Sequence, residues 1–186
     1  MSKLFDIVEL EQNTPEWHDW RFEGIGASDA SKIMGEGFET SSELLFKKKN
    51  RIVDPVNEHM QRGIDLEPKA RQQYETLKNI QVSPLCIQSK EYPWMRASLD
   101  GISDDYSTVI EIKCGRSAYK KATYREIPSY YEGQIQHQLM ITGSESLDYV
   151  AYWPGERCII LKAKRDERYI KRLFEAECTF YEKMCS

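Results

Sequence analysis

Apolar positions along the chain recur first at helical spacing and then in alternation, and the change of period marks the elements. Pro15 to Phe22 predicts a short helix with Asn13 or Thr14 as its cap and Trp17, Trp20 and Arg21 on adjoining faces; Gly24-Ile25-Gly26 breaks it. A second short helix starts at Ala27 or Ser28 and runs to Met34, ended by Gly35 and Gly37. Ser41 to Lys49 predicts a third, and Asn57 to Lys78 a long one that Pro68 either kinks or restarts after Asp65. Alternation then takes over in Pro84 to Lys90, Trp94 to Asp100 and Thr108 to Lys113, a three-strand meander. The polar stretch from Gly115 to Pro128 reads as a connection. Pro128 opens a helix to about Ile141, stopped by Gly143, with Ile135, Leu139 and Tyr131 on its buried face. Two strands, Asp148 to Trp153 and Arg157 to Lys164, follow about Pro154-Gly155, and Asp166 caps a last helix whose stripe is Tyr169, Ile170, Leu173, Phe174 and Phe180. This order predicts an α/β fold, a mixed β-sheet flanked by helices.

Composition narrows the class. With 186 residues, 40% hydrophobic and 30% charged, the chain fits one globular domain spanning 1–186. No apolar run reaches membrane-spanning length, and the start lacks a signal peptide's basic and apolar blocks, so a cytoplasmic protein is expected. The five cysteines form no CxxC pair and the three histidines are scattered, which argues against zinc and iron–sulfur sites. A net charge of −4 argues against a uniformly basic nucleic-acid surface but leaves local patches: Lys47-Lys48-Lys49 with Arg51, Arg116 to Arg125, and Lys162, Lys164 and Arg165.

The chemistry concentrates in Ser98 to Cys114. This segment reads as a hairpin in which Asp100 closes one strand and Glu111 and Lys113 share a face of the next, about 7 Å apart along the backbone, while Ile110 and Ile112 point to the core. Hard cations such as Mg²⁺ take oxygen ligands and need only one or two carboxylates, so Asp100 and Glu111 suffice as anchors, with the backbone carbonyl of Ile112 as a third oxygen. Beside such a cation Lys113 would lose a proton more easily than a free lysine and could orient or deprotonate a water attacking a phosphodiester. Near the start of the chain, Arg21, Ser28 and backbone N–H groups can converge on an anion.

These residues resemble the PD-(D/E)xK nuclease motif, with Leu99 where that motif often has proline. Trp17-His18-xx-Arg21, Gly26-Ala27-Ser28, the set Gly63, Glu67, Arg71, Tyr74 and Glu75, and Gly133-Gln134-Ile135-Gln136 follow in the order of the lambda-exonuclease family, the YqaJ-like viral recombinases. The resemblance implies a restriction-endonuclease-like core and a 5′→3′ exonuclease on double-stranded DNA ends, releasing mononucleotides with Mg²⁺, or Mn²⁺ in its place, to leave 3′ single strands for recombination. It implies that Glu67 joins Asp100 and Glu111 at the metal site, that Gln134 holds water or the scissile phosphate, and that Arg21, Ser28 and Ser98 grip the 5′-phosphate. It further implies a ring-shaped trimer, a single-strand annealing protein as partner, and a phage or prophage origin in a bacterial host. An endonuclease of the same superfamily and a non-catalytic DNA-binding recombination scaffold are the alternatives.

Overall fold

The computed structural model describes residues 3–186, so Met1 and Ser2, part of the start read as lacking a signal peptide, lie outside it. Among the described residues there are seven α-helices and seven strands. They are β1 (Phe5–Val8), α1 (Pro15–Phe22), β2 (Ile25–Gly26), α2 (Ala27–Ile33), α3 (Ser41–Lys49), α4 (Glu58–Lys78), β3 (Ser83–Ser89), β4 (Met95–Ile102), β5 (Val109–Lys113), α5 (Arg116–Thr123), α6 (Glu132–Thr142), β6 (Ser146–Ala151), β7 (Ile159–Lys164) and α7 (Glu167–Cys185). One sheet carries the order β1-β3-β4-β5-β6-β7, with β2 pairing alongside β4. Its neighbours are antiparallel except β5 with β6 and β2 with β4. The fold is therefore the mixed sheet flanked by helices that the pattern predicts.

Helix starts follow their caps. Thr14 accepts from Trp17 N at 3.3 Å with Pro15 at the first helical position, and Asn57 accepts from Met60 N at 2.9 Å. Thr40 and Glu43 form a reciprocal capping box. Asp166 accepts from Arg168 and Tyr169 N–H groups at the start of α7.

Five expectations change. The Gly24 to Gly26 breaker contains β2, whose register sets Ile25 against Met95, and the start of the chain adds β1 beside β3. Helix α4 runs unbroken through Pro68, which lies on an exposed face, where the missing N–H is less costly than in the core. The Gly115 to Pro128 connection contains α5, anchored by buried Ala118 and Ala122 one turn apart. Ser129–Tyr131 form a 3₁₀ turn, so α6 proper begins at Glu132.

Both faces of the sheet are covered. Leu99, Ile135, Leu139 and Tyr149 belong to one cluster, while Ala70, Tyr74, Ile110, Ile112 and Val150 form the other under α4. Strand β5 is therefore buried on both sides, and Glu111 enters the interior at 1% exposure instead of facing water. Gly101 lets β4 and β5 close up: a Cβ there would stand 2.8 Å from the Ile110 side chain and 3.0 Å from Val82.

Candidate active site

Pairing of Gly101 with Ile110 sets Asp100 and Glu111 opposite each other on β4 and β5. Asp100 Oδ2 accepts from the backbone N–H of Ile112 at 2.7 Å, which fixes the carboxylate against the neighbouring strand. Glu111 is held at both oxygens. Its Oε1 lies 2.5 Å from Lys113 Nζ and accepts from Gln134 Nε2 at 2.7 Å, and its Oε2 accepts from Gln138 Nε2 at 2.6 Å. Lys113 Nζ also donates to Gln134 Oε1 at 3.2 Å and stands 4.7 Å from the centre of the Tyr131 ring. Thus α6 presents Gln134 and Gln138, one turn apart, to a single buried carboxylate.

Glu67 borders this centre. Arg71, one turn along α4, pairs with Glu67 through Nη2 and donates from Nε to the Asp100 carbonyl at 2.7 Å. The i, i+4 ion pair and a place beside the acids therefore coexist. Tyr74 and Glu75 of the same motif serve packing: the Tyr74 hydroxyl donates to Asp148 at 2.8 Å, and Glu75 accepts from Val82 N at 3.0 Å.

Electrostatics mark the spot. Enclosure, then the nearby Glu111 and Glu67, push the Asp100 carboxyl well above the usual carboxylate range. Burial raises Glu67 as well, with Arg71 opposing and Glu111 adding to the rise. Burial works against a charged Lys113, yet Glu111 and Asp100 more than offset it and hold the ammonium protonated. The easing of this proton expected from sequence would need a cation's charge, because the protein's own groups act in the opposite sense. Burial pushes the neighbouring Cys114 thiol up to about 12.

These crowded carboxyl oxygens suit a hard divalent cation, whose charge would offset their repulsion. Among the described residues no three His, Cys, Asp or Glu side chains form a ready-made cage. Mg²⁺ needs only one or two protein carboxylates and keeps waters in its other positions. The Ile112 side chain is buried and its N–H is taken by Asp100.

An adjoining cavity of about 150 Å³ is lined by Arg21, Ser28, Ser98 and Gln134. Arg21 Nη2 donates to Ser28 Oγ at 2.6 Å and its guanidinium lies 4.6 Å from the centre of the Trp17 ring. Trp17 Nε1 in turn donates to Ser98 Oγ at 2.8 Å. All three residues expected at a phosphate converge here, and Gln134 lines the cavity while bonding Glu111.

Beneath the cavity lies a buried ion pair that sequence reading missed. Asp29 Oδ2 lies 2.6 Å from Lys48 Nζ and accepts from Gly26 N at 2.9 Å, with Arg21 3.9 Å from its other oxygen. Burial opposes the Asp29 charge, but Lys48 and Arg21 win and hold its carboxyl at about 2. Lys48 also donates to the carbonyls of Arg21 and Gly24 at 2.8 and 2.9 Å. It is therefore no part of an exposed basic patch, because packing of α2 on α3 draws it inward to 6% exposure. In the third patch Lys162 pairs with buried Asp148 at 2.5 Å and Arg165 donates to Leu139 O at 2.7 Å, while Lys164 stays exposed. Exposed Arg116, Lys120, Lys121 and Arg125 keep the second patch open around α5.

Three further positioning residues stand behind the site. His137 Nδ1 lies 2.6 Å from Glu177 Oε1 and Nε2 lies 3.0 Å from the Arg96 carbonyl, which ties α6 to α7 and β4. Gly133 lets α6 approach α2 so closely that a Cβ would stand 2.6 Å from Ser31 N. Gln138 shares the face of Gln134, one turn away, and both amides donate to Glu111.

The model of the YqaJ-like viral recombinase domain family matches residues 16–145, a span that holds Asp100, Glu111, Lys113, Glu67 and Gln134 of the acid centre and Arg21, Ser28 and Ser98 of the cavity. The Bacillus subtilis (strain 168) protein YqaJ is 29% identical over 193 residues, covering 97% of this chain, which spans 60% of that relative's length. Among solved structures, the alkaline exonuclease LHK-Exo from Laribacter hongkongensis superposes with a TM-score of 0.81 at 24% identity, over 92% of each chain. LHK-Exo in complex with dAMP gives 0.80 at 25%, again over 92% of each. A phage-related exonuclease from Haemophilus somnus 129PT gives 0.67 at 12% identity over 87% of this chain and 93% of that one. No helix among the described residues is long and apolar enough to cross a membrane. The match across 16–145 establishes that this chain belongs to the YqaJ-like viral recombinase domain family.

Proposed function

We propose that the chain is a divalent-cation-dependent exonuclease that degrades double-stranded DNA from 5′-phosphorylated ends, 5′→3′, releasing mononucleotides. The observation that carries this reading is one glutamine joining two sites: Gln134 bonds Glu111 in the acid–lysine centre and lines the cavity of Arg21, Ser28 and Ser98. The likeness to structures described as an alkaline exonuclease and as its complex with dAMP, a mononucleotide, supports it.

Asp100 and Glu111 would hold Mg²⁺, or Mn²⁺ in its place, with the Ile112 carbonyl as a third oxygen and Glu67 alongside. Such a cation, when bound, neutralises charge at the scissile phosphate and acidifies the attacking water. Lys113 orients that water and stabilises the charge that develops as it loses its proton. Gln134 uses its amide to align the phosphate or the water. Arg21, Ser28 and Ser98 take the terminal 5′-phosphate, which sets the first internucleotide bond at the acids. Water oxygen joins phosphorus, the bond to the 3′ oxygen breaks, and that oxygen takes up a proton. A 5′-mononucleotide leaves and the shortened strand keeps a new 5′-phosphate, which refits the same cavity.

A 3′ single strand left in this way suits recombination by a single-strand annealing partner, and a ring trimer enclosing the duplex would offset the net charge of −4. The test compares linear duplexes bearing 5′-phosphate or 5′-hydroxyl in Mg²⁺. Faster release from phosphorylated ends, with the preference lost in Arg21→Ala, supports the reading; equal rates on both ends, or cutting of closed circles, refutes it.

A further inference from the structure

The geometry points to an aromatic shelf, Phe38 with Tyr130, that stacks the base of the nucleotide whose phosphate enters the Arg21 cavity. This deepens the proposed exonuclease reading and rests on it.

Phe38 is 91% exposed, the most solvent-open of the large apolar side chains among the described residues. The residues just before it are anchored. Gly35 turns the chain with φ +73°, Glu36 and Gly37 N–H groups donate to the Ser31 carbonyl at 2.8 and 2.9 Å, and the Tyr169 hydroxyl donates to Glu36 at 2.6 Å. An apolar ring therefore stands in water directly after an anchored turn. The Phe38 ring lies 5.1 Å from Tyr130, and Tyr130 lies 4.5 Å from Tyr131, whose ring carries Lys113. Ser31 Oγ fixes this arrangement by donating to the Tyr130 carbonyl at 2.8 Å, at the close approach that Gly133 permits.

The rings wall a groove of about 800 Å³ that shares Ser28 and Gln134 with the phosphate cavity. Its cations are already matched: Lys32 and Lys47 lie 2.7 and 2.6 Å from Glu39, and Lys47 lies 2.7 Å from Asp54. The groove thus offers ring faces with internally paired charge, while the Arg21 guanidinium and the Ser28 and Ser98 hydroxyls lie next door. A nucleotide with its phosphate among those groups would set its base on the shelf, and stacking on aromatic faces accepts any base.

The experiment uses 5′-phosphorylated duplexes whose terminal nucleotide carries a base or is abasic, with wild type, Phe38→Ala and Phe38→Trp. On base-bearing ends Phe38→Ala should raise KM roughly tenfold or more, the range of one lost stacking contact, and Phe38→Trp should restore it. On abasic ends Phe38→Ala should match wild type. An unchanged KM on base-bearing ends, or an equal rise on both, overturns the proposal. Binding without turnover separates the two readings: in EDTA, a 5′-terminal 2-aminopurine should be quenched by wild type and not by Phe38→Ala. Quenching without nucleotide release in Mg²⁺ supports the shelf and counts against the exonuclease; release without quenching does the reverse. Absence of both overturns both.

Discussion

Replacing Gln138 with leucine removes one amide donor from the most enclosed acid of the site while keeping similar bulk. Glu111 is 1% exposed and rests on three side-chain donors, of which Gln138 Nε2 at 2.6 Å holds Oε2. A hydrogen bond to a charged group contributes about 1.5–3 kcal/mol, and the carboxylate has little water to replace it. Gln138→Leu should therefore lose about 2 kcal/mol, which for a chain of this size lowers Tm by roughly 6 °C. The carboxylate also becomes free to turn. Loss of a residue that orients a metal ligand weakens metal binding about 10–100-fold, so half-maximal nucleotide release should need correspondingly more Mg²⁺. Urea unfolding and a Mg²⁺ titration of nucleotide release measure the two effects. Unchanged stability together with an unchanged Mg²⁺ requirement would refute the reasoning.

Two pH limbs follow from buried groups away from the acids. Asp29 is held at about 2, below its ordinary 3.8, so its carboxylate stabilises the fold fully above pH 4 and this contribution, about 2 kcal/mol, is lost as pH falls toward 2. Asp29→Asn should flatten that acid limb in urea titrations, and an unaltered slope would contradict the assignment. Burial opposes charge on His137, but Glu177 and the Arg96 carbonyl raise its pKa above 6.5, and both ring nitrogens face acceptors that an imidazolium satisfies. Its contribution is complete below pH 6.5 and is lost as pH rises through the elevated pKa. Ring-proton NMR should show His137 still protonated when free histidine is neutral; a neutral ring at pH 6.5 would refute this.

The acid–lysine centre was legible because strand geometry places i and i+2 on one face, so Glu111 and Lys113 declare themselves, and Asp100 precedes a turn they must face. Strand burial was not legible, since the helix that covers Glu111 comes 20 residues later. Helical spacing puts either His137 or Gln138 on the face of Gln134; the structure selects Gln138, while His137 turns to Glu177. Lys48 was not legible either, because a lysine run at a helix end reads as a dipole-favoured solvated face, and its partner Asp29 meets it only through packing of α2 on α3. Helix α5 reads as a connection on its composition, rich in Lys, Arg and Tyr, although Ala118 and Ala122, four residues apart, mark a buried face at helical spacing. Strands β1 and β2, of four and two residues, owe their existence to distant partners in β3 and β4.

The central claim is that Asp100, Glu111 and Lys113 form a hydrolytic centre. Mononucleotide release from a 5′-phosphorylated linear duplex, followed for wild type and Asp100→Asn in Mg²⁺ and in EDTA, tests it most directly. The account predicts release by wild type in Mg²⁺, none in EDTA, and loss of at least a hundredfold in Asp100→Asn with the fold intact. Release that persists in EDTA, or an Asp100→Asn protein as active as wild type, would contradict it.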